Sequence, residues 1–406
     1  MALTDRFFWL RDGLEIADGR LVIAGRDAER LARSHGTPLY VYDLDRIADK
    51  VRDLRETLDA AGLDALVRFA VKANHHPDVL EVIRDLGAGI DASSPGEVKL
   101  ALEEGFAPGA ISFTGTNLTD RDMEAVIDRE VHMNVDLLSQ LRRYGRLAPG
   151  TAVGLRVNPR AGGAYSGSGE TLYSGERPTK FGIYEEQLDE ALAIAEEYDL
   201  AIDVVHMHVG DGFLDDGLEG FEEAVEVAAE IVGNLVDAGC PIREVNTGGG
   251  LGLPQAPGEE PLDLEAYAGI LARHLDRLGV TVSCEPGDYL VKDSALLLCE
   301  VVTVEDRLGV VFVGLNAGWN VMPDKFIYGT SPDIVLARAV DAPVAAAVTI
   351  AGHINEGDDL FAEEHPMPEV REGDIVAMMD VGGYHQSMSS THCLRPRAPA
   401  LFLFRE

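Results

Sequence analysis

Short runs of β-branched residues alternate with longer amphipathic stretches through the middle of the chain. Helical periodicity is clear in stretches such as PDVLEVIRDLG and SPGEVKLALEEG, and several of them end in glycine, as helix C-termini tend to. Strands that alternate with helices predict a parallel sheet, and eight strands are the number that closes a (β/α)8 TIM barrel. A doubly wound open sheet is the alternative that the same alternation allows. The predicted strands are LVRFAV (66–71), AGID (88–91), AISFTG (110–115), VHMNVD (131–136), AVGLRVN (152–158), IDVVHMHV (202–209), IREVNTG (242–248) and VTVSCEP (280–286).

The pattern changes after residue 290, where strand-like runs are joined by turns with few helical stretches between them. The N-terminal stretch FFWLRDGLEIADGRLVIAG also indicates a small β element. We therefore predict an α/β fold, with a barrel over residues 35–285 and a mainly β domain built from 1–34 and 286–406. The Gly/Ser-rich stretch 162–180 follows the fifth strand, and we expect a mobile loop there, beside the barrel mouth.

The composition indicates which binding partners and which cellular location to expect. A formal charge of −36 argues against nucleic acid and against anionic membranes, whose phosphates need lysine and arginine. No window approaches the roughly 18 apolar residues of a membrane span, and the charged N-terminus does not resemble a secretory signal. The four scattered cysteines lack CxxC spacing, which favours a cytoplasmic location over a disulfide framework or a zinc site. Six lysines beside 28 arginines are compatible with an adaptation to high salt.

Residues able to bind or react cluster at the predicted strand ends. In TIM barrels the active site lies at the C-terminal ends of the strands. Six different strands deliver such residues to one face here, and this convergence indicates an active site. The residues are Lys72, Asp91, Arg156, His208, the glycines Gly248, Gly249 and Gly250, and Glu285.

Each of these residues also has an ordinary structural interpretation. A lone lysine usually extends into solvent, yet Lys72 lies in AVKAN, where desolvation would favour the neutral amine that Schiff-base chemistry requires. The glycines of TGGGLG suit either a tight turn or the phosphate seat that follows strands seven and eight. Glu285 could be a surface carboxylate, or in a cofactor site it could pair with a protonated pyridine nitrogen. His206 and His208 are spaced as a metal pair, but no third ligand is evident and no metal is predicted.

Together the motifs resemble the alanine racemase-like, fold type III pyridoxal phosphate enzymes, in the branch of the diaminopimelate and ornithine decarboxylases. FAVKAN is similar to the family's Schiff-base lysine motif, GIDASSPGEV to its second-strand motif and LRVNP to its arginine strand. HMHVGD is similar to the motif whose second histidine stacks on the cofactor, and TGGGLG and CEPG resemble the phosphate loop and the pyridine-nitrogen glutamate. GGYHQSMSSTHCLRPRAP resembles the C-terminal motif whose tyrosine reaches the phosphate.

The resemblance implies a pyridoxal 5'-phosphate cofactor, an amino-acid substrate and a homodimer with shared active sites. Within the implied site, Lys72, His208 and Glu285 take catalytic roles. The cofactor-binding residues that it implies are Lys72, Asp91, Arg156, His208, Asp211, Gly248, Gly249, Gly250, Glu285 and Tyr384.

One departure from the family pattern concerns the proton donor. The decarboxylases carry Cys-Glu-Ser-Gly-Asp where this chain reads INEGDD, with Asn355 at the catalytic cysteine's position and Glu356 and Asp358 retained. An amide does not donate a proton as an acid. His353, His385 or water must therefore take the cysteine's role if the chemistry is the same.

Other departures concern the substrate, because acids stand where arginines of the family would bind a distal carboxylate. EPGR reads EPGD, with Asp288, and an arginine is missing around Asp324 in NAGWNVMPDKFIYG. Asp211 likewise ends HVGD in place of HIGS. We therefore expect a substrate with a distal amine or another non-anionic group. The substrate-binding residues that the resemblance implies are Asp288, Asp324, Tyr328, Glu356 and Asp358.

Three functions compete at this point. The favoured one is decarboxylation of an amino acid. The second is an amino-acid racemase of the same fold, but racemases of this fold pair the pyridine nitrogen with arginine, and Glu285 indicates a fuller electron sink. The third is a non-catalytic decarboxylase homologue, which would have no reason to retain Lys72, His208 and Glu285.

Overall fold

The computed structural model describes residues 6–162, 173–175, 177–329 and 331–406. Most of the stretch 162–180, expected to be a mobile loop, therefore lies outside the described residues. The chain divides into two compact units, one made of Ala48–Leu253 and Glu260–Leu290, and the other of Met1–Ile47, Pro254–Glu259 and Val291–Glu406. The domain boundaries suggested by the sequence, at residues 35 and 285, stay a prediction.

The N-terminal segment forms the small β element that was expected. Strands β1 (Leu14–Ala17), β2 (Arg20–Ile23) and β3 (Arg26–Asp27) pair antiparallel in one sheet. Helix α1 (Ala28–His35) begins after Asp27, whose carboxylate accepts a hydrogen bond from the Arg30 amide and so satisfies one free donor of the first turn. Strand β4 (Leu39–Asp43) and helix α2 (Leu44–Ala60) follow.

The described residues contain a closed, all-parallel barrel of eight strands, which confirms the TIM-barrel prediction and removes the open sheet. Each predicted strand overlaps an observed one. Around the barrel the strands follow the order of the sequence, and the last pairs with the first. They are β5 (Ala65–Ala70), β6 (Gly89–Ala92), β7 (Ile111–Thr114), β8 (His132–Val135), β9 (Ala152–Arg156), β10 (Ala201–His206), β11 (Glu244–Asn246) and β12 (Thr281–Cys284).

Helices connect the barrel strands, and polar caps mark where several of them begin. Ser94 accepts from the Glu97 amide, and the Glu97 carboxylate accepts from the Ser93 amide in return. Thr119 and Asp122 form a capping box of the same kind. The helices that follow the eight barrel strands in turn are α3 (Pro77–Asp85), α4 (Pro95–Glu103), α5 (Asp120–Ile127), α6 (Leu138–Leu147), α7 (Leu188–Glu197), α8 (Leu218–Asp237), α9 (Leu264–Leu275) and α10 (Asp288–Val291).

Polar side chains fill one face of the barrel strands and are paired with one another. Arg68 on β5 donates to both oxygens of the Glu244 carboxylate, at 2.5 and 3.1 Å, and Ser283 donates to the same carboxylate at 2.6 Å. Residues two apart on a strand share a face. Ser283 therefore precedes Glu285 on the face that carries the site.

The second unit is built mainly from β strands, as predicted. The helix and strands of this part are β13 (Ala295–Arg307), β14 (Val310–Leu315), α11 (Asp324–Tyr328), β15 (Ile334–Leu336), β16 (Ala346–Ala351), β17 (Leu360–Met367), β18 (Ile375–Met378) and β19 (Ala400–Leu403). The larger sheet runs in the order β15-β18-β13-β14-β16-β17, and β4 pairs with both β13 and β19.

Strand β13 explains why this region contains an unbroken apolar run. Leu297 and Cys299 pack into one hydrophobic cluster, whereas Leu296 and Leu298 pack into another, so both faces of the strand are buried. Strand β17 was not predicted, because its sequence LFAEEHPM carries charges and a proline. It ends the strand order, where an unpaired edge tolerates both. Among the described residues, no helix is long and apolar enough to span a membrane.

Candidate active site

Lys72 and Asp91 meet at the C-terminal ends of neighbouring barrel strands. Lys72 follows β5, and Asp91 lies near the end of β6. Lys72 Nζ is 3.4 Å from Asp91 Oδ2. The Asp91 carboxyl is almost fully buried, whereas 44 % of the Lys72 side chain is accessible to solvent. The amine is therefore held by a buried acid and remains open to a reactant.

The charge state of this pair differs from the expectation. Burial acts to lower the pKa of the Lys72 amine, but the nearby carboxylates of Asp91 and Glu285 outweigh it and the pKa is raised. The prediction that desolvation would favour a neutral amine was wrong, because the two acids face the ammonium. Burial and the charge of Glu285 raise the pKa of Asp91, which makes this carboxyl able to hold a proton near neutral pH.

Glu285 follows β12 and has both carboxylate oxygens engaged. His206 Nε2 lies 3.0 Å from Oε2, and Asn246 Nδ2 donates to Oε1 at 2.6 Å. Burial acts to raise the pKa of Glu285, but the His206 ring, together with the Asn246 amide, lowers it well below its usual range. Glu285 is therefore a buried, ionised carboxylate. His206, whose spacing from His208 is that of a metal pair, thus faces Glu285.

The triple glycine forms a tight turn after β11. Gly248 and Gly250 have φ values of 70° and 103°, which favour glycine. At Gly249 a Cβ atom would collide with the backbone carbonyl of Glu285. The Gly248 amide donates to Asn246 Oδ1 at 2.9 Å, and the Gly249 amide donates to His208 Nδ1 at 3.2 Å. Two of the three amides expected to face an anion thus already have acceptors inside the barrel.

His208 and Arg156 complete the cluster at the strand ends. Burial and the positive charges of Arg156 and Lys72 hold the pKa of His208 well below its usual value, so the ring is neutral. Burial also lowers the pKa of Arg156. Its guanidinium carbon lies 4.3 Å from the centre of the Phe181 ring, and the Tyr173 ring meets His208 edge-on at 4.6 Å.

Two predicted acids, Asp211 and Asp288, lie on the loops that follow β10 and β12. Asp211 is exposed, and Asp288 is half-buried at the first residue of α10. Burial raises the pKa of the Tyr173 hydroxyl, and the charges of Asp211 and Asp288 raise it further, whereas Lys72 lowers it. Both acids therefore interact electrostatically with Tyr173, which also interacts with Lys72.

Asp136 was missed in the sequence analysis. It follows β8 and is fully buried. Burial raises the pKa of this carboxyl against the Thr116 hydroxyl and the charge of Arg156. The signal was present, because VHMNVD ends in an acid as AGID does. Tyr173 gave no such signal, because it lies in a loop.

The other predicted residues belong to the second unit. Tyr384 lies in a turn with φ of 61°, a value that is uncommon for a residue with a side chain. Tyr328, the last residue of α11, is exposed, and its hydroxyl lies 3.7 Å from Met388 Sδ. Asp324 is the first residue of the same helix.

The INEGDD loop is exposed at Asn355, Glu356 and Asp358. Glu356 lies 3.5 Å from the ring of His392. The buried acid of this loop is the neighbouring Asp359, which accepts hydrogen bonds from two backbone amides and which the sequence analysis did not single out.

The two histidines considered as proton donors differ in their surroundings. His385 is buried, and its Nδ1 lies 2.5 Å from the backbone carbonyl of Gly383. His353 is half-buried with Nε2 at 3.2 Å from the Asn320 side-chain oxygen, and burial lowers its pKa.

Comparison with known proteins shows the family of the chain. Residues 44–292 match the family described as "Pyridoxal-dependent decarboxylase, pyridoxal binding domain". The chain belongs to this family. It is therefore a pyridoxal phosphate-dependent amino-acid decarboxylase, a carboxy-lyase, and neither the racemase nor the non-catalytic alternative is needed.

Relatives match over almost the full length. A diaminopimelate decarboxylase of Methanothermobacter thermautotrophicus is 38 % identical over 404 residues, covering 97 % of this chain and 92 % of the relative. The crystal structure of diaminopimelate decarboxylase from M. jannaschii in co-complex with L-lysine aligns with a TM-score of 0.88 at 28 % identity, covering 97 % of this chain and 93 % of that chain. The Helicobacter pylori enzyme complexed with L-lysine has a TM-score of 0.85 at 28 % identity and covers 93 % and 94 %.

Proposed function

We propose that Lys72 holds pyridoxal phosphate covalently and that Glu285 faces its pyridine nitrogen. The cofactor supplies an electron sink for the charge left when a carboxylate departs as carbon dioxide. The observation that carries this assignment is the convergence of an accessible amine, a neutral imidazole and a buried, ionised carboxylate at one end of the barrel. The amine would bind the aldehyde carbon of the cofactor, the imidazole would stack on its ring, and the carboxylate would face its protonated pyridine nitrogen.

Each residue has a defined task in this arrangement. Ionised Glu285 favours a proton on the pyridine nitrogen, because an opposite charge stabilises the cationic form. Asp91 forms an ion pair with Lys72 Nζ across 3.4 Å and so orients the amine at the end of β5. His208 is neutral, which suits a flat contact with the cofactor ring better than acid catalysis. The turn Gly248–Gly250 contacts His208 through the Gly249 amide and would hold the phosphate group, with Gly250, Arg156 and Tyr384 as candidate partners.

We propose that the substrate carries a distal amine. Asp211 and Asp288 support this, because their charges act on Tyr173 together with that of Lys72. An ammonium near these acids would be attracted, whereas a distal carboxylate would be repelled. The two relatives complexed with L-lysine fit this candidate and diaminopimelate equally, since L-lysine is also the product of diaminopimelate decarboxylation. Asp324, Tyr328, Glu356 and Asp358 are the candidate contacts from the second unit.

A second candidate substrate is meso-diaminopimelate. Relatives named diaminopimelate decarboxylase match nearly the whole chain at 28–38 % identity. This substrate has both an ammonium and a carboxylate at its distal end. Its use would require a cation that replaces the arginines missing at Asp288 and Asp324.

A substrate panel separates the two candidates. Carbon dioxide release and amine product should be followed for lysine, ornithine, arginine, meso-diaminopimelate and glutamate, with Lys72→Ala as the blank. Preference for the first three supports a monocarboxylic, cationic substrate. Preference for diaminopimelate would overturn that proposal and leave the decarboxylase assignment intact. Glutamate as the best substrate would contradict both.

A homodimer with shared active sites forms part of the proposal. The exposure of Asn355, Glu356 and Asp358 supports it, because a loop that completes a neighbouring site must be accessible on its own chain. Asn355 has no acidic proton, so the proton that replaces the lost carboxylate must come from another group. Among the candidates His353 is the more accessible ring, and His353→Gln tests it.

A further inference from the structure

The two residues that hold Glu285 have unusual positions for core polar groups. His206 is the last residue of β10 and Asn246 the last of β11. Both are essentially fully buried, and each contributes one contact to a different oxygen of Glu285. The last residues of two neighbouring strands therefore each contact one oxygen of the Glu285 carboxylate.

His206 is costly to bury, which argues that it does more than fill space. Its Nδ1 atom has no hydrogen-bond partner among the described residues, while Nε2 faces Glu285. A buried polar atom without a partner costs about 1–3 kcal/mol, and an apolar side chain of similar volume would avoid that cost. The buried carboxyl of Asp136, which follows β8, also interacts electrostatically with His206.

Asn246 couples Glu285 to the glycine turn. Its Nδ2 donates to Glu285 at 2.6 Å, and its Oδ1 accepts from the Gly248 amide at 2.9 Å. The Glu285 amide in turn donates to the Gly248 carbonyl at 2.7 Å. Three hydrogen bonds thus fix Glu285 relative to the start of the turn. Two of them pass through the Asn246 side chain, and the third joins the backbone of Glu285 to that of Gly248.

We propose that His206 and Asn246 are positioning residues that hold Glu285 ionised and aimed at the pyridine nitrogen of the cofactor. This inference rests on the proposed function, in which Glu285 meets that nitrogen. Metal binding by His206 with His208 is the competing use of the same ring. It is disfavoured because His206 Nε2 faces Glu285 and His208 Nδ1 accepts from Gly249.

The test compares two substitutions of the same residue in the holoenzyme. The amide nitrogen of a glutamine reaches the place of Nε2, whereas that of an asparagine reaches only the place of Nδ1. His206→Gln should therefore keep the donor to Glu285, and His206→Asn should lose it. We expect His206→Asn to lower kcat roughly 10- to 100-fold, the range for loss of a hydrogen bond to a charged group, with KM changed less than about threefold. His206→Gln should restore most of kcat.

The direct readout is the nitrogen-15 resonance of pyridoxal phosphate labelled at the pyridine nitrogen. We expect the protonated form in the wild type and in His206→Gln, and a shift towards the neutral form in His206→Asn. The matched control is His132→Asn. His132 on β8 also pairs with a carboxylate, Asp203, at 2.7 Å, but at the first residue of its strand rather than the last. This control should leave the resonance unchanged.

Glu285→Gln distinguishes failure of the inference from failure of the proposed function. If Glu285→Gln leaves both the resonance and kcat unchanged, Glu285 does not meet the pyridine nitrogen and the proposed function is wrong at that residue. If Glu285→Gln changes both while His206→Asn changes neither, the positioning role is wrong. Adding His206→Asn to Glu285→Gln should cause no further loss of kcat, and a full additional loss would indicate a merely structural histidine.

A second variant keeps the inference testable if His206→Asn does not fold. Asn246→Ala removes the donor to the other oxygen of Glu285, and we expect the same shift of the nitrogen resonance, although of smaller size. An unchanged resonance in folded Asn246→Ala would overturn the role of Asn246.

Discussion

The backbone amide of Gly249 donates a hydrogen bond to Nδ1 of His208 over 3.2 Å. Nδ1 accepts this bond only when it carries a lone pair, so the ring proton lies on Nε2 and the histidine is neutral. The bond also joins the end of β10 to the glycine turn after β11. Burial and the charges of Arg156 and Lys72 favour the same neutral form by lowering the pKa of His208.

His208 should make the stability of the cofactor-free protein depend on pH. The unfolded chain binds a proton at this residue below the usual histidine pKa of about 6.5, and the folded chain does not. The free energy of unfolding should therefore fall as the pH drops from about 7 to about 5, by up to about 1.4 kcal/mol per pH unit from this residue. Above a pH of about 7 both states carry the neutral ring, and His208 adds no slope.

Urea unfolding at several pH values measures this effect, and His208→Gln is the control. The variant lacks the titrating group and should show a smaller loss of stability over the same pH range. Identical slopes for wild type and variant would contradict the neutral state of His208.

Lys72 should be the residue that holds the cofactor. Borohydride reduction followed by peptide mapping should place the cofactor on Lys72, and Lys72→Ala should lose turnover by roughly 1,000-fold or more, as removal of a covalent group does. Lys99 is the matched control, because it is an exposed lysine on α4 that forms an ion pair with Glu103 at 3.5 Å. Lys99→Ala should keep full activity, and an adduct mapped to a lysine other than Lys72 would contradict the assignment.

Gly249→Ala should weaken both the fold and cofactor binding. The added methyl group would collide with the backbone carbonyl of Glu285, which is not free to move like the end of a side chain. We expect about 1–3 kcal/mol of destabilisation, measured by urea unfolding, and a weaker affinity for pyridoxal phosphate.

Gly269→Ala provides the matched control, because this glycine lies within α9 and a Cβ atom there would meet nothing within 4 Å. Alanine favours a helix over glycine by about 1 kcal/mol, so the substitution should raise stability and leave cofactor binding unchanged. Loss of affinity in both variants would show that the effect is not local.

Mixing two inactive variants should restore activity if the active sites are shared. Combining Lys72→Ala with Glu356→Ala gives mixed dimers with one intact site each, so about a quarter of the wild-type activity should return after exchange. The control mixes Lys72→Ala with Glu285→Gln, whose residues both lie in the barrel unit, and should restore nothing. A fully active monomer in light scattering would end the dimer proposal.

The negative charge of the chain should make dimer formation in that experiment depend on salt. With a formal charge of −36 per chain, two copies repel each other. Raising the salt from about 0.1 M to about 1 M shortens the screening length from about 10 Å to about 3 Å, so dimer formation and activity should rise together with salt.

The barrel and most of its site could be predicted from sequence because local patterns carry the information. Each strand is a short apolar run bounded by helical stretches, and the C-terminal ends of parallel strands must meet at one edge of a barrel. Lys72, Asp91, Arg156, His208 and Glu285 follow directly from this rule. Asp136 follows from it too and was overlooked. Strand β17 did not follow, because an edge strand does not need the apolar alternation that marks a buried one.

The partners of these residues were decided only in three dimensions. His206 and Asn246 lie 79 and 39 residues from Glu285, and nothing in their local sequence indicates that both hold its carboxylate. The protonation of Lys72 depends in the same way on where Asp91 and Glu285 lie in space. The sequence by itself determined which chemical groups reach the barrel mouth. The tertiary structure decided their charge and orientation, because both depend on distances between strands that are far apart along the chain.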